Sequence, residues 1–255
     1  AAAGTSAPTM ALASTDFGVG RNTVSFGLID SQAGPLSQAD VLLSTFYLPP
    51  GAQQEGPVET VPATFVRWPA GSGGIYRASV VLDRPGDWGL LATVPGDGGS
   101  QAQISVRIRV GETTRTPAVG SPAPRSVNKT AADVARLEEL TTDVDPDPGL
   151  YATTVADVID SGRPLLVVFA TPAFCQTATC GPQLRVIKDL NEEYGDRMSF
   201  IHVEVYDNPH LIQGDLSNAE ISPILAEWNL PSEPWVFVVD GTGLVNSKFE
   251  GFATV

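Results

Sequence analysis

Histidine, methionine and cysteine are nearly absent: two of each in 255 residues. Two cysteines are too few for a disulfide scaffold. They stand five positions apart, at Cys175 and Cys180, which confines any thiol chemistry to one loop. Basic residues are also scarce, 15 against 29 acidic, for a formal charge of −14. That balance argues against nucleic acid or an anionic membrane surface as partner, because both demand a basic face. Long apolar runs are missing too. The longest, Pro164–Ala170 (PLLVVFA), falls far short of the roughly 18–20 residues of a membrane span and reads as a buried strand.

The remaining composition is that of a folded chain. Apolar residues make up 42% and charged residues 17%, so a real core is available. The length favours two domains. Residues 1–15 (AAAGTSAPTMALAST) are small and polar, with neither a basic n-region nor an apolar h-region, and are expected to be a flexible segment. This leader, the 25 glycines and 21 prolines, and the adjacent cysteine pair point to an extracytoplasmic setting: secreted, periplasmic or cell-surface. An N-terminal anchor lost on processing is consistent with that setting. Asn128-Lys129-Thr130 fits a glycosylation acceptor triplet, a pattern common by chance. The chain stops after an apparent strand, which suggests a missing C-terminal helix.

Residues 16–111 read as short strands divided by turn residues: Thr23–Asp30, Ala39–Leu48, Thr60–Trp68, Gly74–Asp83, Asp87–Val94 and Gln101–Val110. In the last, Ile104, Val106, Ile108 and Val110 face one way and Ser105, Arg107 and Arg109 the other, as in a strand with one wet face. Pro-Gly and Gly-rich turns separate them, near 49–51, 71–74, 84–86 and 95–99. The spacing predicts an all-β, immunoglobulin-like sandwich. Residues 112–130, rich in Pro, Ser and Thr, read as a linker.

Residues 131–255 change period. A short helix is expected at Ala131–Leu140, an acidic turn at Asp143–Gly149, and helical spacing at Val155–Ile159 before the apolar strand Leu165–Ala170. After the cysteine loop come a helix at Pro182–Tyr194, a strand at Ser199–Tyr206, a helix at Ser217–Trp228, and strands at Trp235–Asp240 and Leu244–Glu250. Alternation of this kind predicts an α/β domain.

Two resemblances follow from quoted motifs. Gly74–Val94 (GIYRASVVLDRPGDWGLLATV) resembles the extracytoplasmic sandwiches of the CopC/YtkA-like group, some of which bind copper through histidine or methionine. This half has no histidine and only Met10, so it reads as a binding or spacer module without a metal site. The second half resembles the thioredoxin-like superfamily. LLVVF runs into a cysteine loop, Cys180-Gly181-Pro182 opens a helix, and SEPWVFVVD resembles the loop and strand that carry a cis-proline. The resemblance implies an α/β thioredoxin-like fold, a cis bond at Glu233-Pro234, and thiol–disulfide exchange on a protein partner. Cys175 would be the attacking thiolate, Cys180 the resolving thiol, and Glu233, Pro234 and Trp235 the substrate loop. Val168 replaces the buried acid of that superfamily, and His202 would relay the proton of Cys180. No organic cofactor and no metal is implied.

The spacing Cys-x4-Cys leaves alternatives open. Residues five apart on a continuous helix lie about 8–9 Å apart at Cα, whereas a disulfide tolerates less than about 7 Å. Either Cys175 lies off the helix or the helix unwinds to oxidise. The same spacing resembles the Q-type peroxiredoxins, which place a threonine three and a proline seven residues before the reactive cysteine. Here Thr171 stands four before Cys175, and the seventh position is Val168. A Cu(I) chaperone resembling those of cytochrome oxidase would need a placed histidine, which neither His202 nor His210 clearly supplies. A non-catalytic interaction subunit with a clip disulfide is the bland alternative.

Overall fold

The computed structural model describes residues 8–30, 34–37, 40–68, 73–96, 100–175 and 179–253. The chain divides into two compact units, Ala1–Arg115 and Thr116–Val255.

The first unit contains β1 (Thr9–Leu12), β2 (Gly20–Asp30), β3 (Gly34–Pro35), β4 (Val41–Leu48), β5 (Glu55–Arg67), β6 (Gly74–Leu82), β7 (Gly86–Pro95) and β8 (Gln101–Val110). All belong to one antiparallel sheet, ordered β1-β2-β6-β5-β4-β7-β8, with β3 beside β2. The two ends of this path, β1 and β8, come back into contact, so the sheet is nearly closed. Gly18 bridges to Gly111, with Val19 N–H donating to the Gly111 carbonyl (3.1 Å) and Gly111 N–H to that of Phe17 (3.0 Å). Inside lie Phe26, Leu43, Tyr76, Trp88 and Leu90. The Trp88 indole N–H donates to the Arg84 carbonyl at 3.1 Å.

This corrects the expected sandwich of two separate sheets. Strand β5 is the reason. It pairs with β4 over Glu55–Ala63 and with β6 over Thr64–Arg67, so one 13-residue strand turns the corner that two sheets would have left open. By local pattern this strand begins at Thr60; the part before it, Glu55–Glu59, carries Pro57, which argues against a strand. The flexible-segment reading of residues 1–15 is also corrected. Thr9–Leu12 pairs with Phe26–Ile29, and Met10 and Leu12 pack on the core; residues 1–7 lie outside the described residues. The expected turns at 71–74 and 95–99 lie partly outside them as well.

In the second unit the elements are α1 (Val155–Ser161), β9 (Leu165–Ala170), α2 (Cys180–Tyr194), β10 (Ser199–Glu204), β11 (Tyr206–Asp207), β12 (Glu220–Ile221), α3 (Pro223–Glu227), β13 (Trp235–Val239) and β14 (Val245–Glu250). The main sheet runs β10-β9-β13-β14, with β9 and β10 parallel and the other pairs antiparallel. Every residue of β9 is buried. Leu165, Val167 and Phe169 enter one core with Trp228 and Phe237, while Leu166, Val168 and Ala170 enter another with Cys180, Leu184 and Ile187. Strands alternate their side chains between faces, so a strand covered on both sides must be apolar throughout.

The expected fold class, with an α/β thioredoxin-like domain as its second part, is corrected as well: over the described residues of both units together strand reaches 42% against 17% helix, and three α-helices form. The expected helix at Ser217–Trp228 is mostly not helix. Pro223 disfavours helical backbone at Ser222, so β12 precedes a five-residue α3. At Ala131–Leu140 only a 3-10 turn, Leu137–Glu139, is found.

The Pro-rich stretch read as a linker lies against the second unit from Thr116 onward. Ala123 is buried in its core, and the Ser126 hydroxyl accepts from the Trp228 indole at 3.0 Å. Asn128, the glycosylation candidate, is 5% exposed, and its carbonyl oxygen accepts from Val155 N–H at the start of α1 (2.8 Å). Its side chain is therefore spent on the helix. Among the described residues no helix is long and apolar enough to cross a membrane.

Candidate functional site

The buried strand β9 delivers the chain to the site. After Ala170 a turn closes with Phe174 N–H donating to the Thr171 carbonyl (3.3 Å), and Cys175 follows. Residues 176–178 lie outside the described residues. Cys180 then opens α2. Cys175 and Cys180 form a disulfide with their Cα atoms 5.9 Å apart. Cys175 therefore sits ahead of the helix, which settles the geometric choice posed by the five-residue spacing.

The two sulfurs have unlike surroundings. Cys180 is fully buried, whereas Cys175 is half-buried. The backbone N–H of Cys180 donates to Cys175 Sγ at 3.2 Å. That N–H is one of the donors a helix start leaves without an intrahelical partner, and it stands where the helix dipole is positive. Both features favour negative charge on Cys175. Beneath Cys180 the partners are apolar, Val168 and Ala170 among them.

The Glu233–Pro234 bond is cis. Trp235 pairs with Phe169 in β9, so this loop stands at the same end of β9 as the cysteine turn. The Phe174 ring meets Tyr206 edge-on at 5.9 Å, and the charge of Glu233, after burial, helps push the Tyr206 phenol upward. Trp235 is not at the surface expected of a substrate contact. It is 2% exposed, stacks on Phe237 at 5.6 Å, and gives its N–H to the Ser232 hydroxyl at 3.0 Å. Its assignment to substrate binding is corrected to the core.

His202 is likewise placed differently from the expected proton relay. It is 3% exposed, and both ring nitrogens are engaged. Nε2 stands 3.0 Å from the Ala170 carbonyl, which can only accept, so Nε2 carries the proton. Nδ1 then accepts from the Tyr151 hydroxyl at 2.7 Å. Burial holds the imidazole neutral, with its pKa lowered to about 4. Neither nitrogen is free to serve a sulfur.

The residue the motif reading missed is Glu204, the last of β10, opposite Ala170. It is 5% exposed. One oxygen accepts from the backbone N–H and hydroxyl of Thr142, each at 2.9 Å, and the other accepts from Val205 N–H at 3.0 Å. The Thr171 hydroxyl lies alongside the same carboxyl without reaching hydrogen-bond geometry. Burial raises the carboxyl to a pKa of about 7 against the pull of these donors. Order along the chain gives no signal for it: Glu204 falls on the same polar phase as His202 in Ile201–Val205, where an acid on the wet face of a strand is expected.

The arginines nearest Cys175 in sequence are Arg163 and Arg185. Arg163 donates to the Gly195 carbonyl at 3.0 Å. Arg185 folds back toward Gly181 in the first turn of α2. His210 is half-buried with a buried Nδ1. Among the described residues no three His, Cys, Asp or Glu side chains gather as a metal site. No family model matches the chain, and no curated protein matches it.

Proposed function

We propose that the chain is an extracytoplasmic thiol–disulfide exchange protein acting on protein partners through Cys175 and Cys180. One observation carries the reading: an N–H at a helix start aimed at the more accessible of two adjacent sulfurs. A thiolate is the attacking species, and a free cysteine near pKa 8.5 supplies little of it at neutral pH. The donor and the helix dipole raise that supply at Cys175.

In the reduced protein the Cys175 thiolate attacks one sulfur of a partner disulfide. A Cys175–partner bond forms and the other partner sulfur leaves as a thiolate. Cys180 then loses its proton and attacks Cys175 Sγ. The mixed disulfide breaks, the second partner sulfur leaves, and Cys175–Cys180 forms. Two electrons pass to the partner, and the reverse sequence oxidises it. The half-buried Cys175 suits the first step and the buried Cys180 the second. The motif resemblance to thioredoxin-like proteins supports this chemistry, and the disulfide itself suits an oxidising compartment. The first unit serves as a binding or spacer module.

The test is trapping. Reduced Cys180→Ala should hold a disulfide-bearing model peptide as a stable mixed disulfide on Cys175, visible by mass, while Cys175→Ala should hold none. Absence of the adduct in both variants would overturn the reading in favour of a clip disulfide.

A further inference from the structure

The approach to Cys175 is held by a residue far away in sequence. The Thr142 hydroxyl has a single proton, which it gives to Glu204 (2.9 Å). Its oxygen accepts from the backbone N–H of Ala173 at 3.0 Å. Ala173 lies two residues before Cys175. The bonds therefore run one way, from Ala173 N–H to the Thr142 oxygen and from the Thr142 O–H to the carboxyl. In such a chain each bond polarises the next, and an ionised acceptor makes the stronger bond. An ionised Glu204 tightens the hold on Ala173; a protonated one slackens it.

We infer that Thr142 and Glu204 form a proton-linked clamp on the segment entering Cys175, so that protonation of one buried carboxyl regulates how firmly the reactive sulfur is presented. The inference rests on the exchange reading above for its consequence, though not for the clamp itself.

The surroundings make Glu204 the group that titrates. The strap carrying Thr142 is fixed to α2, since Lys188 donates to Asp143 (2.9 Å) and to the Asp145 carbonyl (2.7 Å), and Asn191 to Asp147 (2.8 Å). A cavity of about 160 Å³ reaches Glu204 and gives a proton a path from solvent. The ionisable groups on this cavity or beside Thr142 are His202, Tyr151, Tyr206, Glu139, Asp143 and the Lys129–Asp207 pair. His202 is neutral, both phenols are pushed upward by burial, and Asp143 and Asp207 hold lysines. Glu204 stands apart in having its carboxyl raised to about 7.

Thr142 and Glu204 are positioning residues, so the readout must be one that a purely structural role would not move. In the oxidised protein neither cysteine titrates. The amide shifts of Thr142 and Ala173, followed by NMR from about pH 5 to about pH 9, should titrate with a common midpoint near neutrality. Glu204→Gln should abolish both titrations. Thr142→Val should abolish that of Ala173 alone, and Thr142→Ser should restore it. An Ala173 amide that does not titrate, or that titrates unchanged in Glu204→Gln, overturns the clamp. In reduction by dithiothreitol the wild-type rate should show a break near the same midpoint, lost in Glu204→Gln; a break that persists there also overturns it. Failure of the peptide-trapping test would remove the exchange reading while leaving the amide titrations to decide the clamp.

Discussion

The backbone N–H of Cys180 points at the Sγ of Cys175 from 3.2 Å. This one contact links the helix start to the half-exposed sulfur and separates the roles of the two cysteines. Cys175 has a donor and access to solvent, whereas Cys180 has apolar neighbours and no exposure.

The first prediction follows from that asymmetry. In the reduced, folded protein, iodoacetamide should modify Cys175 at least about tenfold faster than Cys180, because thiolate content and access both favour it. Peptide mapping after short exposure measures the ratio. Equal rates would remove the assignment of attacking and resolving sulfurs.

Two buried groups on β10 should tilt stability with pH in opposite directions. Glu204 has its folded pKa raised from 4.5 to about 7, so its stabilising contribution is full below pH 4.5 and is lost as pH rises through about 7. His202 has its folded pKa lowered from 6.5 to about 4, so its contribution is full above pH 6.5 and is lost as pH falls through about 4. Each is on the order of 3 kcal/mol, from about 1.4 kcal/mol per pH unit. In wild type the two slopes nearly cancel across the window they share. Glu204→Gln should expose the acid sensitivity of His202, and His202→Gln the alkaline sensitivity of Glu204. Urea midpoints across that pH range test this, and parallel profiles for the three proteins would contradict it.

Peroxide should be a poor substrate. A peroxidatic cysteine needs a hydroxyl and a guanidinium to orient peroxide and stabilise the departing oxygen. The Thr171 hydroxyl lies beside Glu204, and Arg163 is bound to the Gly195 carbonyl. The reduced protein should therefore consume peroxide no faster than an ordinary low-pKa thiol while exchanging readily with a disulfide. Stopped-flow on wild type and Cys180→Ala checks both. Rapid consumption with sulfenic acid trapped on Cys175 would establish the peroxidase alternative.

Closure of the first unit's sheet makes its own prediction. A Cβ on Gly18 would come within 2.5 Å of Thr114 N and 2.7 Å of Thr113 C, both backbone atoms that cannot swing aside. Gly18→Ala should cost about 1–3 kcal/mol by overpacking, whereas Gly27→Ala, with nothing within 4 Å, should cost less. Chemical denaturation compares the two. Equal losses would show that the Gly18–Gly111 bridge does not hold the sheet together.

Local pattern in the sequence carried elements whose burial is regular. Gln101–Val110 appears with the expected bounds, and LLVVFA is the doubly covered strand. It failed where long-range pairing overrides local cues. Pro57 masks the first residues of β5, Glu55–Glu59, and Thr9–Leu12 becomes a strand only because β2 offers an edge. The cysteines were legible from their spacing and the Gly-Pro helix start. Glu204 was not singled out, because its donor Thr142 is 62 residues away. His202 stands out as one of two histidines, but its Tyr151 and Ala170 partners, which take up both nitrogens, are not legible from order along the chain.

The central claim is that Cys175–Cys180 is a working disulfide in the folded protein. Equilibration in glutathione buffers of graded redox ratio, with alkylation counted by mass and tryptophan fluorescence read on the same samples, tests it most directly. The account predicts that the pair interconverts fully between disulfide and dithiol while the folded fluorescence is retained. A disulfide that opens only when the fluorescence reports unfolding would contradict it and make the bond a clip.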